Sequence, residues 1–440
     1  MTAKFSIPFG YDAARGTFPS YAEDRHLLTA APTRSGKGAT IIIQALLEVP
    51  HSVVVIDPKG QNAAVTARFR RAMGQEVFAL NPFGLHVSDP WRLPMHRYNP
   101  LARFRIDDPN VVADVANLAH ALIKTEGKEP YFDDTARQLA QTLMLHLIAT
   151  EGTAATLGKL RKMVTDIAAR NTDAAKLLVT MGKSPYSFIR QPIGRFNDHE
   201  ARDISAAINT AITQLAMLDN PALTDPDHGT LSANDFDFTI LKKKPTTVYL
   251  IVPGQYIGAY SRFLRLMITA ALDAVTSEPG GHPVLMILDE FPRLENLPAV
   301  SEAFGFAAGF NLQLWPIIQD LNQLELVYGK AAMSILSNCG VQSYFAATDL
   351  HTGEYLQRRG GMHTGMSRSR SYSGFWRNER SESRSESRVP LLPIERTMSL
   401  PADQSLVFFA GTHDPLIVGR KPYWEIPRLK GRYDPDPYHL

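Results

Sequence analysis

Cysteine is almost missing from this chain of 440 residues: Cys339 is the single one. One thiol cannot close an intrachain disulfide or build a multi-cysteine metal site, and it fits a reducing compartment. Long apolar runs are missing too, since no stretch reaches the roughly 18 residues expected of a membrane span. The best candidate, Leu139 to Ala149, is interrupted by Gln141 and His146 and reads as a buried helix. The start, Met1-Thr2-Ala3-Lys4-Phe5, lacks the apolar stretch of a signal peptide, so the chain as given is expected to be soluble and cytoplasmic. Neither sign of charge dominates: 46 Lys and Arg against 44 Asp and Glu leave +2, too slight a bias to argue for nucleic acid by itself. Among the 13 histidines no pair has the spacing of a zinc site, and no Ser-His-Asp grouping stands out.

What remains is a folded-protein composition, 44% hydrophobic and 20% charged, in a chain too long for one typical core, so two domains are expected. Short apolar runs at His26–Ala31, Ser52–Asp57 and Glu76–Leu80 read as strands. Helical patterns at Ala39–Glu48 and Gln61–Met73 separate them, and Gly74 is placed to end the second. That alternation predicts a mainly parallel sheet with right-handed crossovers. From about Asp107 to Asn220 strand-like runs disappear. Helical spacing covers Val111–Lys124, Asp133–Thr150, Leu157–Ala169 and His199–Leu218. Strands resume at Thr246–Val252, Leu285–Asp289, Leu312–Ile318, Val341–Ala346 and Leu406–Ala410.

The expected organisation is therefore an α/β domain split in two, at 1–106 and 226–440, around an inserted all-α domain at 107–225. Within the second part, 367–388 alternates Ser and Arg and later adds Glu. It is too polar for core, so a solvated loop or an exposed polar hairpin is expected.

Ala31-Pro32-Thr33-Arg34-Ser35-Gly36-Lys37-Gly38 follows a strand and opens a helix, as a phosphate-binding loop must. Small residues let backbone N–H groups converge on phosphate oxygens, and the helix N-terminus adds partial positive charge. Lys37, at an exposed loop–helix junction, would reach the β- and γ-phosphates. Ala31 stands at the first glycine position of G-x-x-x-x-G-K-[ST], and Gly38 stands where Ser or Thr would ligate Mg²⁺. An ordinary strand–turn–helix connection could carry the same Gly-Lys pair. A second signal weighs against that: Val284 to Leu288 is an apolar run ending in Asp289-Glu290. The first acid would hold Mg²⁺, and the second would orient or deprotonate the attacking water. A capping Asp289 beside a solvated Glu290 is the alternative.

Three further places are weighed. Asp57-Pro58-Lys59-Gly60 is a charged turn at a strand's C-terminal end, where ligands bind in open parallel sheets, or simply a Pro-Gly turn. Gln319 closes a strand and would sense a γ-phosphate or water, or serve as a capping side chain. Asp133-Asp134 is expected to begin a helix, with a metal-binding or catalytic role as the lesser alternative. Trp315 and Phe345 are expected to pack in the core.

Taken together these motifs resemble those of the type IV secretion coupling proteins, the TraG/TraD-like conjugative ATPases. The carrying residues are Pro32 to Gly38, Ile56-Asp57-Pro58-Lys59-Gly60, Tyr98-Asn99-Pro100-Leu101, Leu288 to Leu294 and Ile318 to Leu324, with Pro390-Leu391-Leu392 and Leu400-Pro401 near the end. The similarity spans roughly residues 25–425. It implies a RecA-like motor domain with an inserted all-α domain, assembling as a homo-hexamer. It also implies ATP and Mg²⁺ as ligands and the handing of DNA with a relaxase, or of protein effectors, to a secretion channel. Lys-Gly at the end of the loop occurs in this family, and the Mg²⁺ shell is then completed by water, Asp289 and phosphate, with Thr33 or Ser35 helping. A trans-acting arginine is implied, from among Arg262, Arg265, Arg293 and Arg358. Members usually carry transmembrane helices ahead of the loop, so contact with membrane-embedded components would run through a partner or a separate N-terminal segment. A soluble DNA translocase unconnected to secretion, and a nucleotide-gated adaptor that scarcely hydrolyses, are the alternatives.

Overall fold

The computed structural model describes residues 6–12, 16–125, 130–197, 202–373, 379–412 and 414–439, with backbone alone for 365–373 and 379–387. Its strands are β1 Ile7–Pro8, β2 Ser20–Tyr21, β3 His26–Ala30, β4 Ser52–Asp57, β5 Glu76–Leu80, β6 Thr246–Ile251, β7 Val284–Leu288, β8 Leu312–Ile318, β9 Cys339–Tyr344, β10 Met362–Ser373, β11 Glu379–Pro390, β12 Gln404–Phe409 and β13 Leu416–Gly419. Nine of them form one sheet in the order β13-β12-β9-β3-β8-β7-β4-β6-β5. From β9 to β5 every pairing is parallel, and β12 and β13 close one edge antiparallel.

The parallel strands are apolar on both faces because both faces are covered. Along β4, Val54 and Ile56 join one core cluster while Val53 and Val55 join the other, the period of two that a pleated strand imposes. The second cluster takes Ile41, Ile42, Ala45 and Leu46 from the helical stretch after the Lys37 loop. That stretch starts as a π-helical turn over Gly38–Ile42 and continues as α-helix over Ile43–Glu48.

Between β5 and β6 the described residues hold helices and no strand, among them Val111–Leu122, Pro130–Glu151, Leu157–Ala169, Thr172–Gly182 and Arg202–Gln214. His199 lies outside the described residues. Local sequence accounts for these helices. Thr156 and Asn171 accept from Lys159 N and Ala174 N as N-caps. Leu157, Leu160, Val164 and Ile167 fall on one buried stripe. Leu139, Leu143, Met144 and Leu147 are at most 1% exposed, so the stretch weighed as a span is a core helix. No helix among the described residues is long and apolar enough to cross a membrane. The helical region shares one core with the sheet: Val115 and Leu143 belong to the same cluster as Val54 and Met267.

Of the two forms open to 367–388, paired strands rather than a loop are observed on either side of 374–378, which lie outside the described residues, with β10 and β11 antiparallel from Met362–Pro390 to Ser373–Glu379. Alternation at a period of two suits paired strands. Trp315 and Phe345 are both 2% exposed, in the core as expected.

Candidate nucleotide site

The candidate residues come from three neighbouring strands whose C-terminal ends lie together. The Pro32–Gly38 loop follows β3, Gln319 follows β8, and Asp289-Glu290 follows β7. This is the edge at which open parallel sheets bind ligands. The loop is anchored at its base by Ala31 N, which donates to Ile318 O at 2.9 Å. Ala31 is fully buried and is not among the residues of positive φ, so glycine is not required at this first position. Positive φ falls instead on Arg34 (+61°) and Gly36 (+81°), where the chain turns back on itself. Thr33 and Arg34 are exposed, Pro32 is half-buried, and Gly38 needs no special conformation.

Lys37 departs from the exposed junction expected of it. Its side chain is only 16% exposed, because Nζ lies 2.8 Å from Asp289 Oδ1 and 2.7 Å from Glu290 Oε1. Glu290 reaches it from a left-handed backbone conformation (φ 54°, ψ 38°) that turns the chain sharply after β7. Such a conformation costs about 1–3 kcal/mol and persists only where the surroundings enforce it. Gln319 Nε2 donates to Glu290 Oε2 at 3.2 Å, so one carboxylate is shared between an ammonium and an amide.

The electrostatics arise from this geometry. Burial works against the Lys37 charge, but the Asp289 and Glu290 carboxylates outweigh it and raise the ammonium's pKa. Burial pushes Asp289 up against the pull of Lys37. Burial would raise Glu290 as well, yet the Lys37 ammonium and the Gln319 hydrogen bond hold it below the usual carboxylate range.

The residues present fit a nucleotide phosphate chain with Mg²⁺. Ser35 Oγ is enclosed in the loop with no hydrogen-bond partner among the described residues, a cost that an incoming oxygen would relieve. The helix beginning at Gly38 leaves its first N–H groups without intrahelical acceptors. Thr40 Oγ1 donates to Gly36 O at 2.9 Å and is committed to the loop's own shape.

Asp57 acts inside the turn that it opens. It is 1% exposed and accepts from Ala63 N at 2.9 Å and Lys59 N at 3.4 Å, fastening the start of helix Gln61–Ala72. Burial raises its pKa to about 6, against those backbone hydrogen bonds, and the Asp289 charge adds to the rise. Asp133 sits in the first turn of Pro130–Glu151 and accepts from Gln214 Nε2 at 3.0 Å, while Asp134 pairs with Arg137.

Of the four arginines, Arg265 is spent inside the subunit. It is 1% exposed and donates to the carbonyls of His120, Ala121, Leu294 and Asn296, bolting the helical region to the sheet domain. Arg262 contacts Gln214 Oε1 at 3.3 Å. Arg293 is exposed just beyond Glu290, and Arg358 is exposed beside Glu354 at 3.7 Å.

Two groups escaped the sequence reading. Arg420, directly after β13, reaches across the sheet edge to donate from Nη1 to Ser35 O at 2.6 Å, with its guanidinium over the Phe345 ring. A trans peptide points its C=O and N–H in opposite directions, so fixing Ser35 O aims Gly36 N–H away from Arg420. Gln61 stands beside Gly38 and donates to both oxygens of Asp436, which is 5% exposed. These partners lie 375 to 385 residues apart in sequence, and no local motif links them.

A family model described as type IV secretory system conjugative DNA transfer matches residues 7–436. The chain is 29% identical over 453 residues to the conjugal transfer protein TraG of Escherichia coli, covering 92% of this chain and 68% of that protein. It is 30% identical over 427 residues to protein VirD4 of Agrobacterium fabrum, covering 95% of this chain and 62% of that one. It thus spans about two thirds of the length of these relatives. Among solved structures, the bacterial conjugative coupling protein TrwB in an unbound form aligns with a TM-score of 0.65 at 18% identity, over 94% of this chain and 88% of that one. TrwB in complex with ADP and Mg²⁺ aligns with a TM-score of 0.66 at 18% identity, over the same shares. At that identity the likeness is one of fold.

Proposed function

The chain belongs to the type IV secretory system conjugative DNA transfer family, and from that membership we propose that it is an ATP-driven coupling protein, recruiting DNA–protein or protein substrates and delivering them to a secretion channel. The observation that carries the reading is the junction of Lys37, Asp289, Glu290 and Gln319 at three adjacent strand ends. Solved structures of TrwB hold ADP with Mg²⁺ and an ATP analogue, in agreement with this assignment.

In this proposal the loop amides from Ser35 to Gly38 cradle the phosphates. Lys37 leaves the two carboxylates and moves onto the β- and γ-phosphates. That frees Glu290 Oε1 to accept a proton from the attacking water, which Gln319 orients. Mg²⁺ would be held through Asp289 and would neutralise charge developing on the phosphate oxygens. Ser35, with its unpartnered hydroxyl, is the better placed of the two loop hydroxyls considered for its shell, since Thr33 is exposed.

A homo-hexamer belongs to the same proposal, with Arg293 or Arg358 of one subunit completing its neighbour's site. DNA, relaxase or effector proteins and membrane-embedded secretion components are the proposed partners. Steady-state ATP hydrolysis, measured with and without single-stranded DNA over a concentration series, tests this. The proposal expects DNA-stimulated turnover whose specific activity rises as oligomers form. Bound ATP without turnover at any concentration would favour a nucleotide-gated adaptor. DNA-stimulated turnover with no loss of substrate transfer in cells lacking the protein would favour a translocase unconnected to secretion.

A further inference from the structure

Gly38 is the departure in the phosphate loop that the nucleotide assignment leaves unsettled. A P-loop normally carries a hydroxyl here that ligates Mg²⁺. Sterics do not demand glycine: φ is not positive, and a Cβ at this position would meet a single heavy atom within 4 Å, at an ordinary contact distance. That atom is Gln61 Oε1, at 3.8 Å. An amide oxygen from the first residue of helix Gln61–Ala72 therefore stands beside the point where a side-chain hydroxyl would project.

The orientation of that amide is fixed. Gln61 Nε2 donates to Asp436 Oδ1 at 3.0 Å and to Oδ2 at 2.8 Å. A carboxylate accepts only, so the nitrogen must face Asp436 and the oxygen must face Gly38. Asp436 is itself anchored, accepting from Tyr423 Oη at 3.0 Å and from Tyr438 N at 2.9 Å. Gln61 also comes directly after Gly60, whose φ of +65° turns the chain from the end of β4 into the helix. A Cβ at Gly60 would lie 2.9 Å from the His86 ring, whose Nε2 is 3.0 Å from Lys59 O in the same turn.

We propose that Gln61 Oε1 takes over the duty of the hydroxyl missing at position 38, accepting a hydrogen bond from a water that ligates Mg²⁺, with Asp436 as the positioning residue that aims it. The inference rests on the proposed nucleotide site and deepens it. Magnesium suits the arrangement because it gives up its waters reluctantly and is held largely through them. A neutral amide oxygen can accept from such a water, so that a water-mediated contact replaces the hydroxyl's direct ligation without adding charge.

The test is equilibrium binding of ATP to the full chain in Mg²⁺ and in excess chelator, with the ratio of the two affinities as the readout. Thermal unfolding confirms that each variant is folded. Gln61→Ala is expected to lower the ratio about 10-fold, the lower range for losing an outer-shell metal partner, and to leave the chelator affinity unchanged. Adding Gly38→Ser to Gln61→Ala is expected to restore the ratio. A Gln61→Ala protein that keeps the wild-type ratio would overturn the inference. So would an equal fall with and without Mg²⁺, because Gln61 would then merely support the loop. Wild-type protein that binds ATP with no dependence on Mg²⁺ would overturn this inference alone, whereas failure to bind ATP under either condition would remove the nucleotide site beneath it.

Discussion

Replacing Lys37 by Met should weaken the fold as well as nucleotide binding, and the geometry sets the size of the effect. The ammonium lies 2.8 Å from Asp289 and 2.7 Å from Glu290, with side chains 12% and 23% exposed. At an effective dielectric of about 20, one such contact is worth about 6 kcal/mol before desolvation is subtracted. Removing one partner of a pair this enclosed costs about 3 kcal/mol, because two neighbouring carboxylates then share a site without a cation. Lys37 depresses Glu290, so the stability that it contributes is present above the unfolded carboxyl value of about 4.3 and is lost as pH falls through the folded value. In Lys37→Met the two acids take up protons more readily. The gap between wild type and variant should therefore be full at about pH 7.5 and distinctly smaller at about pH 4.5. Urea unfolding at both values measures it. Adding Glu290→Gln should recover part of the loss by removing one of the stranded charges. A Lys37→Met protein as stable as wild type at neutral pH would mean that the ammonium is not what holds these carboxylates together.

Asp57 offers a pH effect of opposite sign. Its folded pKa of about 6 exceeds the unfolded value, so the wild type gains stability as pH falls from above 6 toward 4. Asp57→Asn keeps an acceptor for Ala63 N, gives up the longer contact with Lys59 N, and should compare best with wild type at neutral pH. Relative to wild type it should lose about 2 kcal/mol by about pH 4.5, as thermal melts can track, and a pH-independent difference would contradict the account. Arg420→Lys should raise the KM for ATP about 10-fold, the loss of one charge-assisted hydrogen bond of about 1.4 kcal/mol, with a smaller change in kcat, because a compact ammonium cannot span the carbonyls of Ser35, Ala402 and Gln404 as the guanidinium fork does. An unchanged KM would mean that the loop keeps its shape without this contact.

The sheet was legible because buried parallel strands are short apolar runs and their helices repeat at another period. Ser52–Asp57, Glu76–Leu80 and Leu312–Ile318 fall where the pattern puts them. The edge was less so. β13 is four residues long and the hairpin of β1 and β2 has two-residue arms, too short to carry a period. Helix Thr172–Gly182 went unread as well, since only Ala174, Leu178 and Met181 of it are buried. Lys37, Asp289, Glu290 and Gln319 were readable because each ends a strand or opens a helix inside a recognisable motif. That Lys37 would lie against both acids was not, for sequence order does not state which strand ends are neighbours. Arg420 and Asp436 act across the whole length of the chain. Arg265 illustrates the reverse case, a candidate for trans action that turns out to satisfy carbonyls within its own subunit.

The central claim is that Glu290 prepares the attacking water while Lys37 and the loop hold ATP. Single-turnover conversion of bound ATP to ADP, in wild type and in Glu290→Gln, addresses it most directly. Both proteins are expected to bind ATP, the wild type to convert it, and Glu290→Gln to retain it about 100-fold longer, the lower range for losing a general base. Conversion by Glu290→Gln at the wild-type rate would contradict the account.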